Sequence, residues 1–290
     1  PSICLNISAA FTNKTPTGVF RGPGYAETNL ILERLIDAAA LKYNLDRLEL
    51  RKKNFINKGD MPFTDVLGGS IDSGDFSGAF EQLISRIDLA GFEERKNESK
   101  KKGFLRGLGV ACFIKGTGGA PKENVEIRFT SGSRIDLVTG TQSIGQGHET
   151  TFPQILAKCL GVSGDVINLK QADTDLIETG GGHGSSRATY MGGSALYYAA
   201  AEVIKKGKQL AANVLEVAVQ DILFENGRFI VDGTDREVGL FELAAVAEKN
   251  GSSLNTYNLW ERKAMTFPNG VHAAELEVDS ETGKVKLNRY

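Results

Sequence analysis

Glycine-rich loops are the part of this sequence best suited to chemistry. Two of them, Gln142–His148 and Gly180–Arg187, each follow a strand-like segment and precede a helical one. At the start of a helix, backbone N–H groups lack partners within the helix and the helix dipole favours negative charge. Two such loops in succession indicate a large ligand with several negative charges. The alternative interpretation is that these glycines only make tight turns, because glycine adopts positive φ without steric penalty.

Three other kinds of site fit the sequence poorly. The dinucleotide-binding fingerprint needs a third glycine that Gly145–Thr150 lacks, and no G-x-x-x-x-G-K-[ST] motif occurs. Ser185 and Ser186 lie beside His183, but the G-x-S-x-G elbow of a serine hydrolase is missing. The 3 histidines and 3 cysteines are scattered, without metal-ligand spacing. The sequence therefore favours loops that hold a cofactor, with the cofactor supplying the difficult chemistry.

The loops need strands and helices to position them. Alternating apolar residues predict strands at Arg134–Gly140 and Val166–Gln171, and apolar spacings of three and four predict a helix after each loop, the second running from about Ala188 to Val219. The sum is an α+β fold of mixed sheets with packed helices. We expect a helix-rich part at residues 1–102 and an α+β part at residues 103–290 that contains both loops. Other predicted elements are a half-buried strand at Pro1–Phe11 and helices at 26–43, 46–54, 75–89, 93–102 and 240–249.

Composition and charge exclude several classes of partner. The chain has 290 residues and a formal net charge of −2, with acidic and basic residues interspersed, so we expect no nucleic-acid or membrane partner. No run of about 20 apolar residues occurs. Isolated cysteines indicate a reducing, cytoplasmic setting. Because the chain starts at Pro1, we expect a piece of a longer polypeptide or a processed subunit.

The glycine loops and two further segments resemble one family. Thr141–Thr150 is similar to the G-Q-G-x-x-T loop of the molybdenum hydroxylases, the family of xanthine dehydrogenase and aldehyde oxidase. Gly18–Gly24 resembles the F-R-G-x-G segment of that family, and Ala172–Asp175 with Gly184–Gly193 resembles its second pterin loop. Val271–Gly283 resembles the hairpin that approaches its last active-site segment. These stretches occur in the family's order and cover nearly the whole chain.

The resemblance implies a molybdopterin-binding domain of the xanthine dehydrogenase type, within the molybdopterin-binding subunit. The implied cofactor is a molybdenum-molybdopterin, which bacterial members often carry in its cytosine dinucleotide form. The family hydroxylates a carbon next to nitrogen or oxygen and takes the oxygen from water. The expected small-molecule substrate is therefore an aldehyde, a purine or another N-heterocycle. Electrons would leave through 2Fe-2S clusters to FAD, and we expect both groups on partner subunits or domains.

Site residues follow from the resemblance, position by position. Phe20, Arg21 and Gly22 would lie around the metal, and Gln146 would bond near the pterin and the metal ligands. The other expected cofactor-binding residues would cradle pterin and phosphate, and they are Gly147, His148, Glu149, Thr150, Gly184, Ser185, Ser186 and Arg187. Backbone N–H groups and the Arg187 guanidinium suit phosphate, and an amide suits the edge of a polar heterocycle. Both loops should then face one ligand, which would bring His148 and Ser185 together.

Two segments of the family pattern have no counterpart in these residues. The glutamate that acts as general base would lie beyond Tyr290, and another glycine-rich pterin segment would precede Pro1. The chain therefore supplies no catalytic residue and no metal-ligating side chain of its own, and we expect it to be inactive alone. The alternative function is a non-catalytic cofactor-binding or assembly module within a multi-subunit complex.

Overall fold

Helices and short sheets alternate over residues 4–290, which are the residues that the computed structural model describes. The helices are α1 (Tyr25–Tyr43), α2 (Arg47–Lys52), α3 (Phe76–Arg86), α4 (Phe92–Lys101), α5 (His148–Leu160), α6 (Gly193–Leu215) and α7 (Leu240–Lys249). The strands are β1 (Phe63–Thr64), β2 (Ser70–Ile71), β3 (Phe104–Ile114), β4 (Lys122–Thr130), β5 (Arg134–Thr139), β6 (Ile167–Lys170), β7 (Ile222–Glu225), β8 (Arg228–Val231), β9 (Glu237–Gly239), β10 (Thr256–Glu261), β11 (Asn269–Asp279) and β12 (Val285–Arg289). The predicted α+β fold of mixed sheets with packed helices is confirmed.

The chain forms two compact units. The first contains the residues up to Gly116 together with Ala264–Tyr290, and the second is Thr117–Lys263. β11 belongs to the first unit because it pairs antiparallel with β3 along its whole length. The division expected near Lys102 falls inside this first unit, between α4 and β3.

The first unit packs α3 and α4 against the sheet β12-β11-β3. Its small core contains Phe80 from α3, Leu108 and Val110 from β3 and Ala273 from β11. Asp46 caps α2, because its Oδ1 accepts hydrogen bonds from the Leu48 and Glu49 N–H groups at 2.7 and 3.0 Å.

A carboxylate with several cationic partners lies on the same sheet. The Glu275 side chain on β11 is only 3% exposed and accepts from Arg95 Nε at 2.8 Å and from Arg106 Nε at 2.7 Å. The hydrogen bond from Arg95, more than any other cause, lowers the pKa of Glu275. This buried carboxylate therefore joins α4 to β3 and β11.

The predicted N-terminal strand is wrong where the structure describes it. Residues 1–3 lie outside the described residues, and Cys4–Phe11 is irregular, with Leu5 and Ile7 exposed. A strand needs a neighbour that accepts its backbone hydrogen bonds, and within the described residues none pairs with this segment. The alternation of apolar residues in this segment predicted a strand, but it could not show whether a neighbouring strand is present to pair with it.

The second unit has one main sheet, in the order β10-β4-β5-β6. β4 and β5 form an antiparallel hairpin, whereas β5 and β6 are parallel and α5 connects them. The core packs this sheet against α5 and α6 through the fully buried residues Val125, Ile127, Leu137, Phe152, Leu156, Leu196 and Val203. A smaller sheet, β7-β8-β9, packs near α6 and α7.

The helix after the second glycine loop is shorter and less regular than predicted. It begins with a π-helical turn at Ala188–Gly192 and continues as α6 to Leu215, not to Val219. Glu216 adopts a left-handed conformation with φ 51°, which ends the helix. Glycine at position 192 allows close packing, since a Cβ there would lie 2.9 Å from Phe152 Cζ.

Candidate functional site

Strand topology explains why the two glycine loops meet. β5 and β6 are parallel neighbours, paired from Ile135 with Ile167 to Val138 with Lys170, so their carboxyl ends lie at one edge of the sheet. The first loop (Gln142–His148) follows β5, and the second loop (Gly180–Arg187) follows β6. Ligands of open parallel sheets bind outside the carboxyl ends of the strands.

The two loops are in backbone contact where they begin. Gly140, just before the first loop, packs against Gly180 of the second. A Cβ on Gly180 would lie 2.6 Å from the Gly140 carbonyl oxygen and 2.7 Å from its Cα, closer than real Cβ atoms approach. This contact, which requires glycine at both positions, holds the beginnings of the two loops together.

Gln171 fastens the first loop from the end of β6. Its Nε2 donates to the Thr141 carbonyl oxygen at 2.8 Å, and its Oε1 accepts from the Ser143 N–H at 3.2 Å. Gln146, expected at the pterin, is exposed, and its Oε1 accepts a hydrogen bond from the Ile144 N–H of its own loop. Sequence reasoning missed Gln171; its position directly after a strand that precedes a glycine loop was the available signal.

His148 begins α5 and is buried, with only 2% of its surface exposed. Its ring stacks on Phe152 with the centroids 4.9 Å apart and the planes 3° from parallel. Burial lowers the pKa of His148; His183 in the second loop lowers it further, and Glu149 opposes both. The imidazole is therefore neutral at pH 7, and it adds no charge to the site. The predicted approach of His148 to Ser185 stays a prediction.

The second loop contains several residues with positive backbone φ angles. Ser185 and Ser186 have positive φ, 65° and 53°, as does Gly182 at 64°. Positive φ is uncommon outside glycine, and such strained residues cluster at ligand-binding sites. A Cβ on Gly182 or Gly184 would meet nothing within 4 Å, so these positions border open space. The loop thus presents polar backbone to a region that the described residues leave free.

Arg187 lies inside the protein, with 1% of its surface exposed. Its guanidinium forms an ion pair with Glu123 and donates to the carbonyl oxygens of Lys122 at 2.6 Å and of Ala120 and Gly182 at 3.2 Å. The group that was expected to meet phosphate is therefore committed to protein acceptors in this structure. Glu123, which the sequence analysis missed, is also buried, and burial raises its pKa while Arg187 opposes that shift.

Buried polar atoms around the loops lack partners among the described residues. They are Nδ1 of His183, Nε of Arg187, Nε of Arg262 beside Gly118, Oδ1 of Asn124 beside Gly140, and Oγ1 of Thr151 in the first turn of α5. Buried polar atoms are almost always hydrogen-bonded, so unpaired ones at one site indicate a missing polar ligand. Nε of Arg187 and Nε of Arg262 are N–H donors, so they fit a group that offers acceptor atoms, such as a phosphorylated heterocycle.

Phe20, Arg21 and Gly22 belong to the first unit, whereas the other nine predicted site residues belong to the second. Phe20 and Arg21 are exposed in an irregular segment that leads into α1. Gly22 has φ 78°, and its carbonyl oxygen accepts from the Tyr25 N–H at 3.1 Å. Among residues 4–290, no three His, Cys, Asp or Glu side chains are grouped to hold a metal ion. No helix of that range has the length and apolar character needed to cross a membrane.

Comparison with known proteins decides the family. Residues 82–290 match the profile of a molybdopterin cofactor-binding domain, and residues 1–55 match a second profile with the same description. The chain belongs to the molybdopterin cofactor-binding domain family. The resemblance to the molybdenum hydroxylases is thereby confirmed, and both glycine loops lie within the longer match.

Relatives of this molybdopterin-binding chain include subunits of known enzymes. It is 31% identical to the gamma subunit of the 6-hydroxypseudooxynicotine dehydrogenase complex of Paenarthrobacter nicotinovorans, over 100% of the chain and 38% of that protein. It is 30% identical to the carbon monoxide dehydrogenase large chain of Hydrogenophaga pseudoflava, over 100% of the chain and 39% of that protein. The solved quinoline 2-oxidoreductase of Pseudomonas putida 86 has a TM-score of 0.84 and 29% identity, over 95% of this chain and 38% of that one. The chain thus spans well under half the length of these relatives.

Proposed function

We propose that this chain is the cofactor-holding part of the molybdopterin-binding subunit of a molybdenum hydroxylase. The observation that carries the proposal is the contact between the two glycine loops at the carboxyl edge of β5 and β6. Family membership supports molybdopterin as the ligand, and relatives named as dehydrogenases support an oxidoreductase.

The two glycine loops would bind different parts of the cofactor. The phosphate would lie against the backbone N–H groups of Gly184, Ser185 and Ser186, because donors on a strained, open loop suit an anion. Gly147, His148, Glu149 and Thr150 would bring the N-terminus of α5, with its favourable dipole, to the pterin.

The remaining contacts would lie toward the metal. The Gln146 amide would turn from its own loop to an edge of the heterocycle, and Phe20, Arg21 and Gly22 would contact the metal's surroundings. When bound, the molybdenum cofactor supplies oxidative hydroxylation of a carbon next to nitrogen or oxygen, with water as the oxygen source. The cytosine dinucleotide form would add a second phosphate group for such donors to bind.

The substrate and the partners follow from the same proposal. We infer an aldehyde, a purine or another N-heterocycle as substrate, and the name quinoline 2-oxidoreductase supports the last of these, since quinoline is an N-heterocycle. We infer iron–sulfur and flavin subunits as partners, because relatives are named as the gamma subunit or large chain of larger enzymes. Isolated cysteines support a cytoplasmic location.

Metal and pterin analysis of the native complex tests the proposal. We expect close to one molybdenum and one pterin for each copy of this chain, together with oxidation of at least one substrate of the three classes. A purified complex that contains neither molybdenum nor pterin would overturn the proposal. A complex that holds the cofactor but oxidises none of these substrates would favour the alternative, a non-catalytic cofactor-binding module.

A further inference from the structure

We propose that Glu123 and Arg187 form an internal brace that holds the second loop in its binding conformation. Both are then positioning residues, and the anion is met by backbone N–H groups and not by the guanidinium. The inference rests on the proposed function, because it concerns how that site is shaped.

The hydrogen bonds of the pair connect the second loop to the residues at the start of β4. Arg187 joins the loop, through the Gly182 carbonyl oxygen, to the approach of β4, through the carbonyl oxygens of Ala120 and Lys122. Glu123 accepts from Arg187, from the Asn124 N–H at 3.1 Å and from the Gly181 N–H. Each partner is therefore bonded to the beginning of the loop as well as to β4.

Glycines of two segments pack around the guanidinium. A Cβ on Gly181 would overlap the Arg187 guanidinium, and a Cβ on Gly119 would lie 3.3 Å from Arg187 Cδ and 3.1 Å from the Gly184 carbonyl oxygen. The Gly118 N–H donates to the Ser185 carbonyl oxygen at 3.1 Å. The brace thus lies in a closely fitted layer between the residues before β4 and the second loop.

Charge supports the same assignment. Arg187 and Glu123 are both buried and paired, so their opposite charges cancel at short range. A guanidinium that must bind phosphate gains from an open fork and an unshared charge. Here only Nε of Arg187 lacks a partner among the described residues. A contact from that single N–H to the ligand is the competing assignment, and the experiment below separates the two.

The experiment uses the intact enzyme with Glu123→Gln, Arg187→Met and the double variant. The control is Leu243→Ala, which removes a fully buried side chain of α7 in the core of the same unit. The measurements are molybdenum and pterin content for each folded molecule, hydrogen exchange of amides 181–186 in enzyme produced without cofactor, and thermal unfolding. Should Glu123→Gln fail to fold, Glu123→Asp keeps the charge with a shorter reach and takes its place.

Under the proposal, both single variants lose cofactor and exchange these amides faster by at least roughly tenfold, because a buried charged group is left without its partner. The double variant loses no more than either single one, because it removes both charges and leaves neither of them unpaired. Leu243→Ala lowers the unfolding temperature without changing exchange in the second loop.

Two outcomes would overturn the brace. Cofactor kept or gained in Glu123→Gln but lost in Arg187→Met would show a direct contact, because removing the counter-charge frees the guanidinium for an anion. Unchanged exchange of amides 181–186 in both single variants would show that the pair does not hold the loop. A wild-type enzyme without cofactor would defeat the proposed function alone, and the exchange measurement would still decide the brace.

Discussion

Gly180→Ala perturbs the contact between the glycine loops with a single methyl group. Gly180 does not have positive φ, so alanine there meets no backbone strain and only the space decides the outcome. The added Cβ would lie 2.6 Å from the Gly140 carbonyl oxygen and 2.7 Å from its Cα. Both atoms belong to the backbone, which cannot rotate away as a flexible side chain could.

The size of the effect follows from the displacement. To bring the closer of these contacts from 2.6 Å to an ordinary 3.4 Å, the two segments must separate by about 0.8 Å. Overpacking of this kind typically costs about 1–3 kcal/mol of folding free energy. A misplacement approaching 1 Å in a site also lowers turnover by roughly 10²-fold, because groups held for reaction lose their alignment. The expected result is a moderate loss of stability with a much larger loss of cofactor content and turnover.

The assay pairs urea unfolding of the subunit with molybdenum content and turnover of the intact enzyme. Gly164→Ala is the matched control, since a Cβ at Gly164 meets nothing within 4 Å and its φ is not positive. That variant should match the wild type in both measurements. If Gly180→Ala also matches the wild type, the two loops are not held in contact and the reasoning from their geometry fails.

Three further predictions address the site, the core and pH. Gln146→Ala and Arg21→Ala should each lower cofactor content in the intact enzyme by roughly five- to a hundredfold, the equivalent of about 1–3 kcal/mol for an unsatisfied polar partner, and normal metal content in both would refute the assignment. Phe80→Ala, at a fully buried core position, should destabilise by about 3–5 kcal/mol in urea unfolding while cofactor content per folded molecule stays unchanged. Glu275→Gln should destabilise at pH 7; because the folded pKa of Glu275 lies below its ordinary 4.5, this stability is complete above pH 4.5 and is lost as pH falls through the folded value. Its unfolding curve should therefore converge on that of the wild type in acid, and a difference that does not depend on pH would contradict the role of the ion pairs.

Local patterns in the sequence predicted most of the fold. Asp46 caps α2, and Asn226 and Gly227, with φ 47° and 74°, make the tight turn between β7 and β8. Such signals act over two to four residues, so they can be read without knowledge of the tertiary structure. The positions of both glycine loops were predictable for the same reason, since each lies between a strand pattern and a helix pattern.

The contacts that shape the site could not be predicted in this way. Glu123 and Arg187 are 64 positions apart, and Gln171 is 30 positions from the Thr141 carbonyl oxygen that it binds. No periodicity connects such pairs, because they arise only when the sheet order is known. An isolated arginine in a glycine loop suggested a phosphate contact, since its buried partner on β4 gave no local signal.

These contacts show that neither of the two loop side chains discussed above, His148 and Arg187, is left with an unpaired positive charge for an anion. Burial keeps His148 neutral, and Glu123 cancels the charge of Arg187, so the donors that remain for an anion are backbone N–H groups and the dipole of α5. Those donors can point at a ligand only while Ser185 and Ser186 keep their positive φ, a conformation that costs on the order of 1–3 kcal/mol per residue unless the surroundings hold it. The ion pair and the hydrogen bond from Gly118 to Ser185 provide such restraint from within the protein. Fixed dipoles that need not reorganise bind a developing or resident charge better than flexible groups do. The buried charges are thus best explained as the means by which the backbone is held ready for the ligand.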